Sequence, residues 1–406
     1  MGAILRLGFE TGNNSQEADT GGFTAHYANT GWSKTHINGA GSWAFRCNPT
    51  DGTGNVGDAL PAFITGAGFN GAGSAYGRFY AYFGTFPTAK EQFFAYRDQS
   101  NNGPSWNINN GTVTITNGAG GTTYPGTIVI PINTYIRYEW SHNFVGHLGT
   151  FSAAPVGVAG TTFGTMGTSS TNGTDISQFY VGYTTDTGHA GTFDVWYDDI
   201  AVNDSTGANQ NGSLGEGYLA YYQPSVAGDN EQFTIQNGGV AGSQFNYTRV
   251  ATMASSSLGT GTANGDNVTG HIDDFRISNT GNQIASNGTI NCVRAVWQLG
   301  NGTAAGTNSL MVMRVKNVSG GTVLETGNIN PTGGNFAGTL LSYTRPNGGG
   351  AWTQADCDTM QVGYRISSGS AFPSYAALLY VMIDYNGTAV PRNTTGGNKF
   401  LLGVGK

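Results

Sequence analysis

The sequence predicts an all-β protein, two antiparallel β-sandwich or jelly-roll domains in tandem, and three observations carry that expectation. Glycine supplies 66 of 406 residues without the three-residue period of collagen. It recurs in Asn-Gly pairs such as Asn38-Gly39, Asn70-Gly71, Asn110-Gly111 and Asn347-Gly348, the dipeptide best suited to the positive φ angles of tight hairpins. Between these turns lie short runs rich in Val, Ile, Thr, Tyr, Phe and Trp, the residues that favour strands. Aromatics at 12% and charged residues at 10% exclude a disordered chain, which would be charge-rich and aromatic-poor. The length exceeds what one core usually serves, so two domains of roughly 200 residues each are expected.

The first domain is expected over 1–204. Met1 to Glu10 alternates like an opening strand. Further strands are expected at Trp43–Phe45, Tyr76–Phe83, Glu91–Asp98, Thr112–Thr116, Thr127–Ile130, Tyr135–His142 and Phe179–Tyr183. Tyr76–Phe83 is aromatic on both parities, which suits a central strand. In Tyr135–Trp140 the residues Ile136, Tyr138 and Trp140 share one face, with Arg137 and Glu139 on a wet one. The closing strand, Phe193–Val202, has Phe193, Val195 and Tyr197 on one parity and Ile200 and Val202 on the other. A bulge at Asp198-Asp199 would bring all of them to one core.

Residues 205–216 turn to Gly, Asn and Ser and read as a linker. A second sandwich is expected over 217–390, with strands at Tyr218–Tyr222, Ile272–Ile277, Ile290–Leu299, Leu310–Lys316, Gly321–Glu325, Met360–Ile366 and Ala376–Tyr385. The last is almost continuously apolar, as a strand buried on both faces would be. Thr353 is placed to cap a single helical turn. Residues 391–406 form a Gly-rich tail with an apolar patch, Phe400-Leu401-Leu402.

The closing run Trp196-Tyr197-Asp198-Asp199-Ile200-Ala201-Val202-Asn203-Asp204 resembles the last strand of laminin-G-like, concanavalin-type jelly rolls. Joined to a Gly-rich β domain carrying Pro346-Asn347-Gly348-Gly349-Gly350-Ala351-Trp352-Thr353-Gln354-Ala355-Asp356, the arrangement resembles structural proteins of tailed-bacteriophage virions. The second signature is one residue longer than the pattern. The resemblance implies a non-enzymatic virion protein, assembled in the host cytoplasm and exposed on the particle surface. It would be a tail or tail-fibre-associated component whose partners are other virion proteins, with a homotrimer favoured and a host-surface glycan as a further partner. Two alternatives stand beside it: capsid decoration, as a cement or head-fibre protein, and a carbohydrate-binding, lectin-like module.

The other function classes weaken on inspection. A net charge of −7 with 17 Lys and Arg and no basic stripe argues against nucleic acid. No apolar run of membrane-spanning length appears, and the amino terminus has no long apolar signal region. Concanavalin-type sandwiches host glycosidases that set two carboxylates across a cleft, but Glu91, Glu139, Glu216, Glu231 and Glu325 are isolated in sequence. His142 and His147 sit in no metal or nucleophile motif. No catalytic residue and no cofactor is therefore expected. Asp51, Asn55 and Asp58 are the weak metal candidates; turn-forming Asx residues are the commoner role. Tyr221, Tyr222 and Tyr375 are weak ligand-contact candidates because they fall near loops. Tyr76, Tyr80, Tyr82, Phe93, Phe94 and Tyr96 can stack on sugars or fill a core, and core is the commoner fate. Cys47, Cys292 and Cys357 show no metal spacing; Cys292 and Cys357 can pair only if they face each other in one sandwich.

Overall fold

The computed structural model describes residues 3–7, 45–47, 59–63, 73–98, 103–117, 123–124, 126–166, 176, 178–182, 194–206, 208–237, 246, 250, 263–277, 284, 288–301, 309–331 and 336–387. Four antiparallel sheets account for nearly all of them. Strands β1 (Ala3–Leu7), β13 (Asp194–Asp204), β4 (Ser74–Thr85), β9 (Tyr135–Asn143), β10 (Leu148–Pro155) and β11 (Thr161–Met166) neighbour one another in that order, and β2 (Phe45–Cys47) also pairs with β13. Facing them is a second sheet in the order β3 (Ala59–Phe63), β12 (Gln178–Gly182), β5 (Glu91–Arg97), β6 (Pro104–Asn109), β7 (Thr112–Asn117) and β8 (Ile128–Val129).

The inner faces of these sheets meet in an aromatic core. Phe79 of β4 stacks on Phe94 of β5 at 3.9 Å and on Tyr138 of β9 at 4.8 Å, while Trp106 of β6 meets Phe94 edge-on. The Tyr197 hydroxyl donates to the Phe93 carbonyl, so the one polar atom that this ring brings inside is satisfied. The anticipated bulge is present. Register breaks between Asp198 and Ala201, and Val195, Tyr197, Ile200 and Val202 all reach the same core. The β6–β7 hairpin turns on Asn110 and Gly111, both at positive φ (45° and 79°), as an Asn-Gly two-residue turn requires.

The remaining strands make the second sandwich. Its third sheet runs β16 (Ile235–Asn237), β17 (Ala263–Asp266), β24 (Ser374–Asn386), β19 (Thr289–Asn301), β22 (Phe336–Ser342), with β14 (Tyr218–Tyr222) also on β24. The fourth runs β15 (Pro224–Glu231), β18 (Ile272–Ile277), β23 (Gln361–Ser368), β20 (Leu310–Lys316), β21 (Leu324–Glu325). Trp297, Val381 and Ile383 from one sheet meet Phe275, Met313, Val362 and Tyr364 from the other. Strand β24 is central and buried on both faces, as its composition implies: Tyr380, Met382 and Asp384 face away from that core and are buried too. The helix α1 (Gln354–Thr359) begins at Thr353, whose hydroxyl accepts the Asp356 N–H while the Asp356 carboxylate accepts the Thr353 N–H, a full capping box.

One feature departs from the sequence reading, and the conditional cysteine pair is not formed. Arg137 lies on the supposed wet face of β9, yet is buried, because the chain at 215–217 crosses above it. Cys292 and Cys357 are both buried and form no disulfide with each other; Cys357 sits in the core on α1, and Cys292 on a register break of β19.

Candidate functional site

The outer face of the first sheet carries a row of aromatic side chains. In register, Trp196 of β13 lies opposite Tyr82 of β4, and Tyr82 lies opposite Tyr135 of β9. Directly opposed residues on neighbouring strands project to the same side with Cβ atoms about 5 Å apart, so three rings separated widely in sequence become neighbours. The Tyr82 ring is 5.1 Å from Tyr135 at 50° and 5.3 Å from Trp196 at 77°. All three are half-buried. Gly84 makes room for the row: a Cβ there would come within 2.8 Å of the Trp196 ring. At one side the Tyr82 hydroxyl donates to Asn133 Oδ1 at 3.2 Å, and Asn133 is exposed with φ 57°. At the far end Tyr135 and Val156 pack against the core of the second sandwich. The result is a bounded strip of aromatic faces with an amide beside it, a combination suited to the apolar C–H faces and hydroxyl rims of sugars.

Beside the strip, residues 215–219 bind the two sandwiches together. Glu216 Oε2 accepts from Arg137 Nη1 at 2.5 Å and from Gly157 N at 2.9 Å, and Oε1 accepts the Tyr218 hydroxyl at 2.5 Å. Arg137 Nε also reaches Glu139 at 3.0 Å. Tyr80 donates its hydroxyl to Gly217 O at 3.1 Å, Arg78 Nη1 reaches Gly215 O at 3.3 Å, and Leu219 N donates to Asp199 Oδ1 at 3.0 Å. Gly217 leaves room for these contacts: an added Cβ would fall 2.4 Å from both Arg78 Nη1 and Asn386 Oδ1 and displace those side chains. Burial pushes the Tyr80 and Tyr218 hydroxyls well above the usual tyrosine range. Burial also lifts the Asp199 carboxyl to about 7 against the pull of Arg78.

The remaining acids hold strands. Asp273 faces the second core, where Oδ1 accepts Gln232 N and Phe233 N and Oδ2 accepts the amides of Asn246 and Asn264; burial raises its carboxyl to about 6. Asp274, one residue on, faces the other way and takes Lys316 Nζ at 2.8 Å and Arg314 Nε at 3.2 Å. Asp229 takes Lys316 Nζ at 2.7 Å, Gln361, Ser319 and Gly320 N. Burial alone would raise the Asp229 carboxyl, but these four donors hold it below the usual range. Glu325 is paired with Arg365 at 2.6 Å. His142 is buried against the Tyr96 hydroxyl at 2.8 Å, and burial pulls its imidazole down to about 4. Among the described residues no three His, Cys, Asp or Glu side chains are grouped as a metal site.

The candidate residues read from sequence are scattered. Tyr221 is half-buried on the outer face of the third sheet, its ring 4.9 Å from Tyr380. Tyr222 points inward and belongs to the core, 1% exposed, because its parity on β14 is that of Tyr218 and Ala220. Tyr375 is half-buried and lies over Gly265. None of the three joins the row. Asp51, Asn55 and Asp58 lie outside the described residues. Of the other aromatics, Phe93, Phe94 and Tyr96 are core, Tyr80 is at the seam, and Tyr76 and Tyr82 face outward. Trp196 and Tyr135 went unremarked as contacts; the signal that finds them is the lateral register with Tyr82.

No protein-family model matches the chain, and no curated protein matches it. Among solved structures it is similar to a cellulose-induced protein, Cip1, at 16% identity and TM-score 0.37, over 52% of this chain and 100% of that one. It is also similar to the binding domain of botulinum neurotoxin serotype C1, at 12% identity and TM-score 0.34, over 71% and 74%. A third similarity is to a GH131 β-glucanase catalytic domain from Podospora anserina, at 10% identity and TM-score 0.34, over 47% and 86%. Likenesses this slight carry no site or activity over to this chain.

Proposed function

We propose that this chain is a non-enzymatic, lectin-like recognition protein that binds a glycan on the outer face of its first sandwich. The observation that carries the reading is the row Trp196–Tyr82–Tyr135, three half-buried rings outward of a sheet whose inner face already holds a complete aromatic core. The rings are steeply inclined to one another, so they fit a single soluble glycan chain better than a flat crystalline surface. The acids described above are held by backbone N–H groups, amides or cations, which supports binding rather than hydrolysis. The test is a glycan array on the purified chain, followed by calorimetry of the best ligand. Trp196→Ala and Tyr82→Ala each weaken it about tenfold, near the upper end for one aromatic contact. An array with no signal, or binding that survives both substitutions, overturns the reading.

A second reading concerns the setting. The run 196–204 and the Gly-rich signature 346–356 favour a tailed-phage virion surface, with the glycan on the host, neighbouring tail or capsid proteins as partners and a homotrimer as the assembled form. It includes the division into 1–204, a connecting 205–216, 217–390 and a tail at 391–406. Mass photometry of the free chain and electron cryo-microscopy of the particle test it. A monomer that docks singly without self-contacts counts against the trimer, and absence from purified particles counts against the setting.

A further inference from the structure

Where β13 bulges, Asp199 holds a φ of 46°, which a non-glycine residue keeps only where its surroundings fix it. The bulge turns its carboxylate out of the first sandwich towards the second, onto the Leu219 N–H at the start of β14. The carboxylate is fully buried. Facing it are Arg78 and Tyr80 from β4, Asp384 from β24, and Tyr218 from β14. Asp198 lies beside it on β13, and Glu216 lies next along the seam, held by Arg137 of β9. Asp384 is itself held by Asn291 at 2.9 Å.

We propose that Asp199, buried on the β13 bulge and bonded to the Leu219 N–H, is a proton-operated latch on the seam between the sandwiches: protonated it keeps the 215–219 segment closed on the first sandwich, and ionised it releases it. In the closed seam a charge on Asp199 is cut off from water and repelled by Asp384, against the pull of Arg78 and the Leu219 N–H. Burial dominates, and the carboxyl titrates near 7. In an open seam water returns and the group titrates in the ordinary aspartate range. Opening therefore releases one proton, and linkage sets the direction: the opening constant rises with pH and levels off once the closed form is itself ionised. From pH 5 to pH 7 the rise is roughly 50-fold, near tenfold per unit at first and less as the closed form itself ionises. Tyr80 and Tyr218 stay neutral throughout, since burial raises both.

Hydrogen exchange of the Leu219 amide in the full chain, corrected for the intrinsic pH dependence of exchange, reads the opening directly, with Val381 in the middle of β24 as the reporter of global unfolding. The expected result is Leu219 exchange faster than Val381, rising roughly 50-fold from pH 5 to 7 and levelling off above about pH 8, and no such slope in Asp199→Asn. Equal slopes in both proteins, a pH-independent wild type, or Leu219 exchange that only tracks Val381 would overturn the latch. Should Asp199→Asn fail to fold, Asp384→Asn decides: removing the neighbouring negative charge moves the plateau to lower pH, and an unmoved plateau overturns the proposal.

Discussion

Arg137 of the first sandwich meets Glu216 of the connecting chain at 2.5 Å, with the arginine side chain 8% exposed and the glutamate 27%. The asymmetry predicts unequal costs. Arg137→Ala strips Glu216 and Glu139 of their cation and opens a cavity under the crossing chain, and is expected to cost about 3 kcal/mol. Glu216→Ala leaves Arg137 with Glu139 and costs about 1–2 kcal/mol. Urea denaturation of both variants and their double mutant measures this. A cost below about 0.5 kcal/mol for Arg137→Ala would place the pair among ordinary surface contacts and sink the prediction.

Stability should have two pH limbs. Burial raises Asp199 to about 7 and Asp273 to about 6. Folded, these groups keep a proton that the unfolded chain has already lost, so their contribution is full below the ordinary aspartate range and fades as pH rises through 6 to 7. Asp229, Asp266, Asp356 and Glu325 run the other way, as does His142, which burial pulls down to about 4. The stability that His142 withholds at low pH returns as pH rises to about 6.5 and offsets part of the Asp199 and Asp273 limb. Burial opposes the shift in the three aspartates, but hydrogen bonds hold them below the usual range, and Arg365 does so for Glu325. Their contribution is present above the ordinary carboxylate range and fades as pH falls through and below it. The melting temperature is expected to peak near about pH 4–5 and to fall by several degrees by pH 7.5. A melting temperature that is flat or climbs between pH 5 and 7.5 would contradict this.

Much of the fold was legible where parity and punctuation carry it. The bulge at Asp198-Asp199 follows from five apolar residues on two parities, and the α1 cap follows from Thr353 three positions before Asp356. Strands such as β6, β10 and β15 were not legible. β6 opens on a proline, β10 reads Leu-Gly-Thr-Phe-Ser-Ala-Ala-Pro, and β15 is a polar edge strand, so none shows a run of apolar alternation. The aromatic row escaped for a different reason. Trp196, Tyr82 and Tyr135 come from three separate strands, and only the lateral register of β13, β4 and β9 makes them one surface. Tyr222 reads as a contact along with Tyr221 because both fall near a loop; adjacent strand residues face opposite ways, and nothing local says which faces in.

Chelation is expected to leave stability unchanged. Among the described residues the buried acids are matched by backbone N–H groups, amides or cations, and a carboxylate already holding such donors has little left for a cation. Thermal melts with and without a chelator decide it, and a fall of more than about 5 °C, roughly 1–2.5 kcal/mol at this size, would contradict it.

Proteolysis should separate the chain at one place without separating the pieces. Residues 206, 208, 209, 211 and 213 are exposed, and a protease needs several consecutive residues to leave the surface. From Leu214 onward that is no longer available: Leu214 is buried, and Gly215, Glu216, Gly217 and Leu219 are each hydrogen-bonded to the first sandwich. Limited trypsin-free digestion, with a protease tolerant of Ser, Gly and Asn, is expected to nick between about 205 and 213. The two fragments should then co-elute on size exclusion, because the seam contacts lie outside the nick. First cuts inside 73–98 or 135–166 would refute the proposed division at 204, and fragments that part at once would show that the 215–219 contacts contribute too little to hold the sandwiches together.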